Sequence, residues 1–325
     1  MRQRWGRAAA VALGVTLGLT TASVGRAADG DHDGPARNTW NSNDTAGDHD
    51  GPARDTWDSQ DAAAFWTPQR MAAAIASAPG GTKPRPSPAP SAAATQGAPT
   101  ARHFAGIPSV GVLFSVDGDA KAHHCTASVV HSPNHNLILT AGHCNPGSRA
   151  AFVPQYTAGA DTQPYGVWAL GETFEYADRG TTGDAADHDF AFATVQPDNR
   201  GRELESVTGG NTLSPTPGYR NQVTVIGYPS VRNDPQDRAV RCTTGTARLT
   251  GTRQLRMECG GFYGGTSGSP WLANYDERTR TGRIIGLIGG LNGGGPSSPH
   301  SDRISYSPYF GADILTLYAR ASGQE

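Results

Sequence analysis

The chain has 325 residues, of which 36% are hydrophobic and 17% charged, and carries a net charge of −2. That length allows one large or two ordinary domains, and the low apolar share means that part of the chain is not expected to build a core. No basic stripe is present to neutralise a phosphate backbone, which argues against nucleic-acid binding. No stretch beyond the first 27 residues is apolar for long enough to cross a bilayer.

In chain order, Arg2, Arg4 and Arg7 precede an apolar run from Ala8 to Leu19, and Gly25-Arg26-Ala27 offers small residues for cleavage. This is the pattern of a secretory signal peptide over residues 1–27, and it predicts an extracellular protein with no stable membrane association. Removing its four arginines leaves −6, and residues 28–62 hold nine aspartates against two arginines, so everything after Ala63 is close to neutral. The acidic stretch is a tandem repeat: Gly30-Asp31-His32-Asp33-Gly34-Pro35-Ala36-Arg37 returns seventeen residues later from Gly47 to Arg54, with Trp40 and Trp57 in the same phase. Two copies are too few for a solenoid, and apart from the tryptophans there is almost nothing to bury, so a largely disordered segment is predicted. Phe65-Trp66-Thr67-Pro68-Gln69-Arg70-Met71 follows, with a short helical pattern continuing through Ala72–Ala76, and residues 79–100 form a Pro/Ala/Ser linker. Residues 28–100 are therefore expected to be a prosegment and linker.

From about His103 the texture changes to short apolar runs punctuated by Gly, Pro, Asn and Asp. Strands are predicted at Val110–Val116, Thr126–Val130, Leu137–Thr140, Gly166–Leu170, Phe190–Val195, Val223–Ile226, Leu255–Cys259 and Ile284–Ile288, with a hairpin tip at Thr250–Arg253. Only Ala312–Ala321 has helical periodicity, with Ile314, Leu315, Leu317 and Tyr318 on one face. Many short strands and one terminal helix predict an all-β fold, a sandwich or a pair of barrels. The four cysteines, all beyond residue 120, suggest two disulfides in an exported chain. Three pairings are open. The nearest-neighbour choice, Cys125 with Cys144 and Cys242 with Cys259, closes two loops worth roughly 3 kcal/mol each. Zinc held by Cys125, Cys144, His124 and His143 is the competing reading, weakened by the absence of a C-x-x-C pair.

Three segments carry chemistry. Ser267 lies in Gly264-Gly265-Thr266-Ser267-Gly268-Ser269-Pro270, a turn whose glycines let backbone N–H groups approach a ligand closely. His143 follows an apolar strand in Thr140-Ala141-Gly142-His143-Cys144. Asp187-His188-Asp189-Phe190-Ala191-Phe192 puts an aspartate at the start of an apolar strand. The order His, Asp, Ser is one of three known for a catalytic triad.

These segments resemble the signature segments of the trypsin-like (chymotrypsin superfamily) serine peptidases, over roughly residues 103–321. The closer likeness is to secreted bacterial members, among them the glutamyl-endopeptidase-like group, which shares Ser-Gly-Ser-Pro. A Trp-Thr-Pro-x-Arg-Met segment is similar to one in actinomycete precursors. The resemblance implies two packed six-stranded antiparallel β-barrels with a C-terminal helix, over residues 101–205 and 206–325. It further implies a monomeric endopeptidase acting on proteins or peptides through an acyl-enzyme, without cofactor or metal. Carried over, Ser267 is the nucleophile, His143 the general base and Asp189 its orienting acid, with Asp187 as the competing acid. The N–H groups of Gly265 and Ser267 become the oxyanion hole, and Cys125 starts the disulfide of the histidine loop. His123, His124 and His188 are expected on the surface or in loops.

Two departures narrow this. Thr266 replaces the aspartate that pairs with a new N-terminus in trypsin-like zymogens, and Gly261 replaces the aspartate of a basic-residue pocket. The pocket wall, Ile288, Gly289 and Gly290 in Gly286-Leu287-Ile288-Gly289-Gly290-Leu291, lacks the histidine of glutamyl-specific relatives but is still expected to pair with substrate backbone. Two other readings stay in view: an inactive barrel that binds without cleaving, and an α/β-hydrolase using Ser267, Asp276 and His300. Against the latter, Ser269 occupies the second glycine position of its elbow and no alternating helices surround it.

Overall fold

A computed structural model of the chain describes residues 57–76, 97–117, 121–298 and 301–324. The signal peptide, both copies of the acidic octapeptide, most of the linker and His300 lie outside the described residues. Among the described residues, no helix is long and apolar enough to cross a membrane.

Six antiparallel strands close into a barrel: β3 (Val110–Val116), β4 (Ala122–Val130), β5 (Leu137–Thr140), β6 (Ser148–Pro154), β7 (Trp168–Glu175) and β8 (Ala191–Val195). They run in the order β4-β3-β6-β7-β8-β5, and β5 pairs back onto β4. A second antiparallel sheet contains β10 (Gln222–Gly227), β11 (Val240–Arg248), β12 (Leu255–Glu258), β13 (Pro270–Asp276), β14 (Thr281–Leu287) and β15 (Ile304–Ser307) in the order β15-β12-β11-β10-β13-β14. Its two ends meet where Gly289 N–H donates to Tyr306 O at 3.1 Å. The short strands β2 (Arg102–His103) and β9 (Thr212–Leu213) add to β11 and β14. Helix α4 (Ala312–Ala321) has the predicted bounds and buries Ile314, Leu317 and Ala321. Leu315, expected on that face, is instead exposed, because the buried stripe follows the i, i+3, i+7 positions.

Strands β6, β11, β13 and β15 were not anticipated. β11 shows why: its inward positions are Val240, Cys242, Thr244 and Thr246, so the period of two is present but half of it is polar. Those threonines are buried because their hydroxyls are satisfied, Thr244 by Glu258 O at 3.0 Å and Thr246 by Tyr219 O at 2.8 Å.

Residues 57–76 are folded onto the barrel as a clasp. Helix α1 (Ser59–Phe65) is capped by Asp58, whose carboxylate accepts from the N–H groups of Gln60 and Asp61. Helix α2 (Pro68–Ala72) starts with Thr67 as cap and proline in its first turn. It stops at Ala72, short of the predicted Ala76, and Ile75–Ala76 become strand β1, parallel to β4 at His123 and His124. Trp66 is buried, stacks on Phe114 at 5.1 Å and donates to Arg149 O at 2.7 Å, while Trp57 donates to Ala150 O at 2.8 Å. Burying one such side chain contributes roughly 3 kcal/mol. The tryptophans therefore anchor the segment.

The same covering corrects the placement of His123 and His124, which are buried on β4 rather than exposed. β4 begins four residues earlier than expected, and the clasp strand covers that end. The ring of His124 meets Phe114 edge-on, and its Nε2–H donates to Tyr228 O at 2.8 Å. Burial lowers its pKa from 6.5 to about 4, against a smaller opposite effect of that hydrogen bond. The unfolded chain thus takes up a proton near pH 6.5 that the folded chain refuses until about pH 4. Stability should fall as pH falls through this window, by roughly 3 kcal/mol in total. Urea midpoints measured between neutrality and mild acid should show this slope, and His124→Gln should flatten it. An unchanged slope in the variant would assign it to other groups.

Candidate active site

The two disulfides join Cys125 to Cys144 and Cys242 to Cys259, the nearest-neighbour pairing, and this removes the zinc reading at those cysteines. The first bridge ties β4 to a single 3-10 turn, Gly142–Cys144, that follows β5 and carries His143. Fixed at both ends, that turn aims the imidazole between two other elements.

Asp189 ends the 3-10 segment Gly183–His188 immediately before β8 and is completely buried. Its carboxylate accepts three hydrogen bonds: Oδ1 from the His143 backbone N–H at 2.7 Å, and Oδ2 from His143 Nδ1 at 2.8 Å and from the Gly290 N–H at 2.6 Å. A buried carboxylate needs such donors, and they fix its orientation. With Nδ1–H committed to Asp189, the His143 tautomer leaves Nε2 as an acceptor, and Nε2 stands 2.8 Å from Ser267 Oγ. The structure brings His143, Asp189 and Ser267 together in one chain of hydrogen bonds. Asp187 is not part of it; its carboxylate accepts from Gln254 Nε2 at 3.1 Å. His188 turns away as well, stacked on Tyr176 and paired with Asp178.

The serine loop spends its amides selectively. Thr266 N–H donates to Tyr263 O, Gly268 N–H to Ile288 O and Ser269 N–H to Thr266 O, whereas among the described residues the N–H groups of Gly265 and Ser267 find no acceptor. Gly265 and Gly268 adopt φ of +104° and +85°, and a Cβ on Gly268 would collide with Thr126 O. Only glycine allows this turn. The loop is pinned from outside by Thr126, whose N–H reaches Ser267 O at 2.8 Å and whose Oγ1 reaches Gly265 O at 3.0 Å, and by Ser230 and Asn233, which both donate to Gly264 O. Thr266 is buried with its hydroxyl on Tyr263 O at 2.8 Å. The turn is thus braced by neutral hydrogen bonds, without a carboxylate at that position.

The expected substrate-facing residues are placed unevenly. Gly261, at φ +97°, is backed by Ala101, which lies 3.4 Å from where its Cβ would stand. Ile288, Gly289 and Gly290 are buried just beyond the end of β14, and their N–H groups donate to Ser269 O, Tyr306 O and Asp189. The Gly289 carbonyl accepts from none of the described residues. Gln254, buried in the turn between β11 and β12, accepts from Leu291 N–H at 2.9 Å. Nothing in the sequence marked Gln254, Thr126 or Ser230 as supports, since each lies far along the chain from what it holds. The clasp also reaches this region, because Ala76 Cβ would lie 3.1 Å from a Cβ on Gly264.

A family model for the trypsin-like peptidase domain matches residues 125–287, half of the chain. Protease Anisep from Arthrobacter nicotinovorans superposes with a TM-score of 0.59 at 24% identity, over 69% of this chain and 100% of its own. The thermostable serine protease AL20 from an extremophilic microorganism gives 0.57 at 25%, over 67% and 98%. A Glu endopeptidase gives 0.52 at 19%, over 70% and 99%. No curated protein sequence matches the chain. With the family model matched over half of the chain and this barrel shared with solved bacterial proteases, the chain belongs to the trypsin-like (chymotrypsin superfamily) peptidases as a serine endopeptidase.

Proposed function

We propose that Ser267 attacks the scissile carbonyl while His143 takes its proton at Nε2 and later delivers it to the leaving amine. Asp189 holds the imidazole in the required tautomer and stabilises the imidazolium that forms. The observation that carries this is the unbroken path from Asp189 Oδ2 through His143 to Ser267 Oγ, with 2.8 Å at both steps. The unspent N–H groups of Gly265 and Ser267 receive the oxyanion, and each such donor is worth about 3 kcal/mol of barrier. The Gly289 carbonyl, which accepts from none of the described residues, accepts from substrate backbone. Covalent labelling by a fluorophosphonate tests the nucleophile: one label per chain at Ser267 is expected, and an unlabelled mature protein would overturn it.

The protein is also exported and made as a precursor. Support comes from residues 1–27, from the two disulfides, and from the position of the clasp strand, whose Ala76 lies against Gly264 at the start of the serine loop. The braced Thr266 turn fits activation by removing the clasp rather than by a buried terminal amine. N-terminal sequencing of the secreted protein should find its start between Thr82 and Ile107. Full activity in a chain starting at Ala28 would refute the precursor.

A further inference from the structure

On the far side of β5 from His143, three metal-ligating side chains converge that the proposed mechanism does not use. His131 and His135 lie in the turn between β4 and β5, and Glu205 lies in the first turn of helix α3 (Leu204–Thr208), which belongs to the connection between the two sheets. Glu205 Oε1 is 2.6 Å from His131 Nδ1 and Oε2 is 3.0 Å from His135 Nδ1. One donor atom from each of the three residues lies within 4.8 Å of the others. The carboxylate is largely buried at 11% exposure, while the imidazoles are 60% and 46% exposed. The site is therefore anchored at its base and open at its mouth.

The frame that presents these atoms is tied down on every side. His135 N–H donates to Ser132 O, Glu205 N–H donates to His135 O at 2.8 Å, His131 N–H donates to Asn211 O at 2.9 Å, and Ser132 N–H reaches Glu205 Oε2 at 3.2 Å. Tyr318 of α4 donates to His131 O at 2.9 Å. His135 holds φ of +55°, a conformation that a non-glycine residue adopts at a cost and that here keeps its ring on the carboxylate.

We propose that His131, His135 and Glu205 form a binding site for a divalent transition-metal ion of the zinc type. Two neutral imidazoles and one carboxylate suit zinc, whereas calcium and magnesium prefer shells made of oxygen alone. Three protein ligands leave a fourth position for water, and the open mouth supplies it. A tetrahedron with bonds of about 2.0–2.2 Å has edges of roughly 3.3–3.6 Å, so the hydrogen-bonded contacts of 2.6 and 3.0 Å lengthen and the exposed rings turn to admit the ion in place of the protons now shared with Glu205. The ion is a staple: it joins the β4–β5 turn to the connection between the sheets, next to the contact with α4. The sequence reading expected no metal site, and the proposal departs from it at residues outside the proposed triad.

The test uses the mature protein with Ser267→Ala, which on the reading above prevents self-digestion while leaving His131, His135 and Glu205 intact. Zinc titrated calorimetrically at neutral pH should bind with one equivalent in the micromolar range and raise the unfolding temperature. In the His131→Ala/His135→Ala double variant the binding and the temperature shift should both disappear while circular dichroism is unchanged. Glu205→Gln, which keeps the shape of the side chain, should bind more weakly than the parent. Retention of the equivalent in the double variant would place the ion elsewhere, and absence of binding by the parent at millimolar zinc would leave the cluster as a pair of histidine–glutamate hydrogen bonds. Either result overturns the site. Failure of the nucleophile assignment would appear separately, as residual activity in Ser267→Ala.

Discussion

Replacing Ser267 by alanine should lower kcat on a peptide substrate by about a million-fold and abolish fluorophosphonate labelling. The effect is large because the hydroxyl is the only atom in the described site poised to form the acyl-enzyme. Fold stability should hardly change. Ser267 is half-buried, and its only side-chain hydrogen bond in the described structure goes to His143 Nε2, so truncation breaks one hydrogen bond, whose place at Nε2 a water entering from the open side of the serine can take. The combination to look for is a thermal midpoint within a degree or so of the parent alongside a silent assay. Equal turnover in parent and variant would instead favour a barrel that binds peptides without cleaving them.

Asp189→Asn should cost about ten-thousand-fold in kcat, and Asp187→Asn should cost little. All three hydrogen bonds to the Asp189 carboxylate come from N–H donors, two of them on the same oxygen. An amide there must turn its NH2 toward one of these donors, and the imidazole answers by moving its proton to Nε2. Ser267 then loses its acceptor. Among the described residues the Asp187 carboxylate hydrogen-bonds only to Gln254, so its neutralisation disturbs a support of the Leu291 turn and leaves His143 alone. Single-turnover acylation rates of the two variants separate the roles. A larger loss at Asp187 would exchange the two acids and remove the orienting role from Asp189.

Much of the site could be read from the chain because short-range signals coincide there. His143, Asp189 and Ser267 each sit where an apolar strand meets a turn, and the Gly264–Gly268 spacing announces backbone that only glycine can follow. The strands legible in advance were short, nearly continuous apolar runs such as β3 and β5, buried at almost every position. β11 escaped because threonine fills its inward positions, and the hydrogen bonds that make this tolerable come from residues far along the chain. Burial of His123 and His124 could not be read for the same reason: it depends on residues 75–76, which have no pattern until β4 is beside them. The helix at Ala72–Ala76 gave way to a strand through that pairing. Gly290 was expected to face the substrate, yet its N–H is spent on Asp189, a contact between positions a hundred residues apart. His131 and His135 form a visible pair in sequence, but Glu205, which makes them a site, is seventy residues away.

The clasp separates two events that are usually counted as one. A cut between Ala76 and Gly97 would break the covalent chain without disturbing Trp57, Trp66, Met71 or the pairing of β1 with β4, all of which lie before it. What was a tethered contact then becomes an equilibrium between two fragments. Its occupancy depends on dilution, on the lifetime of the tryptophan anchors, and on whether the freed piece is itself digested.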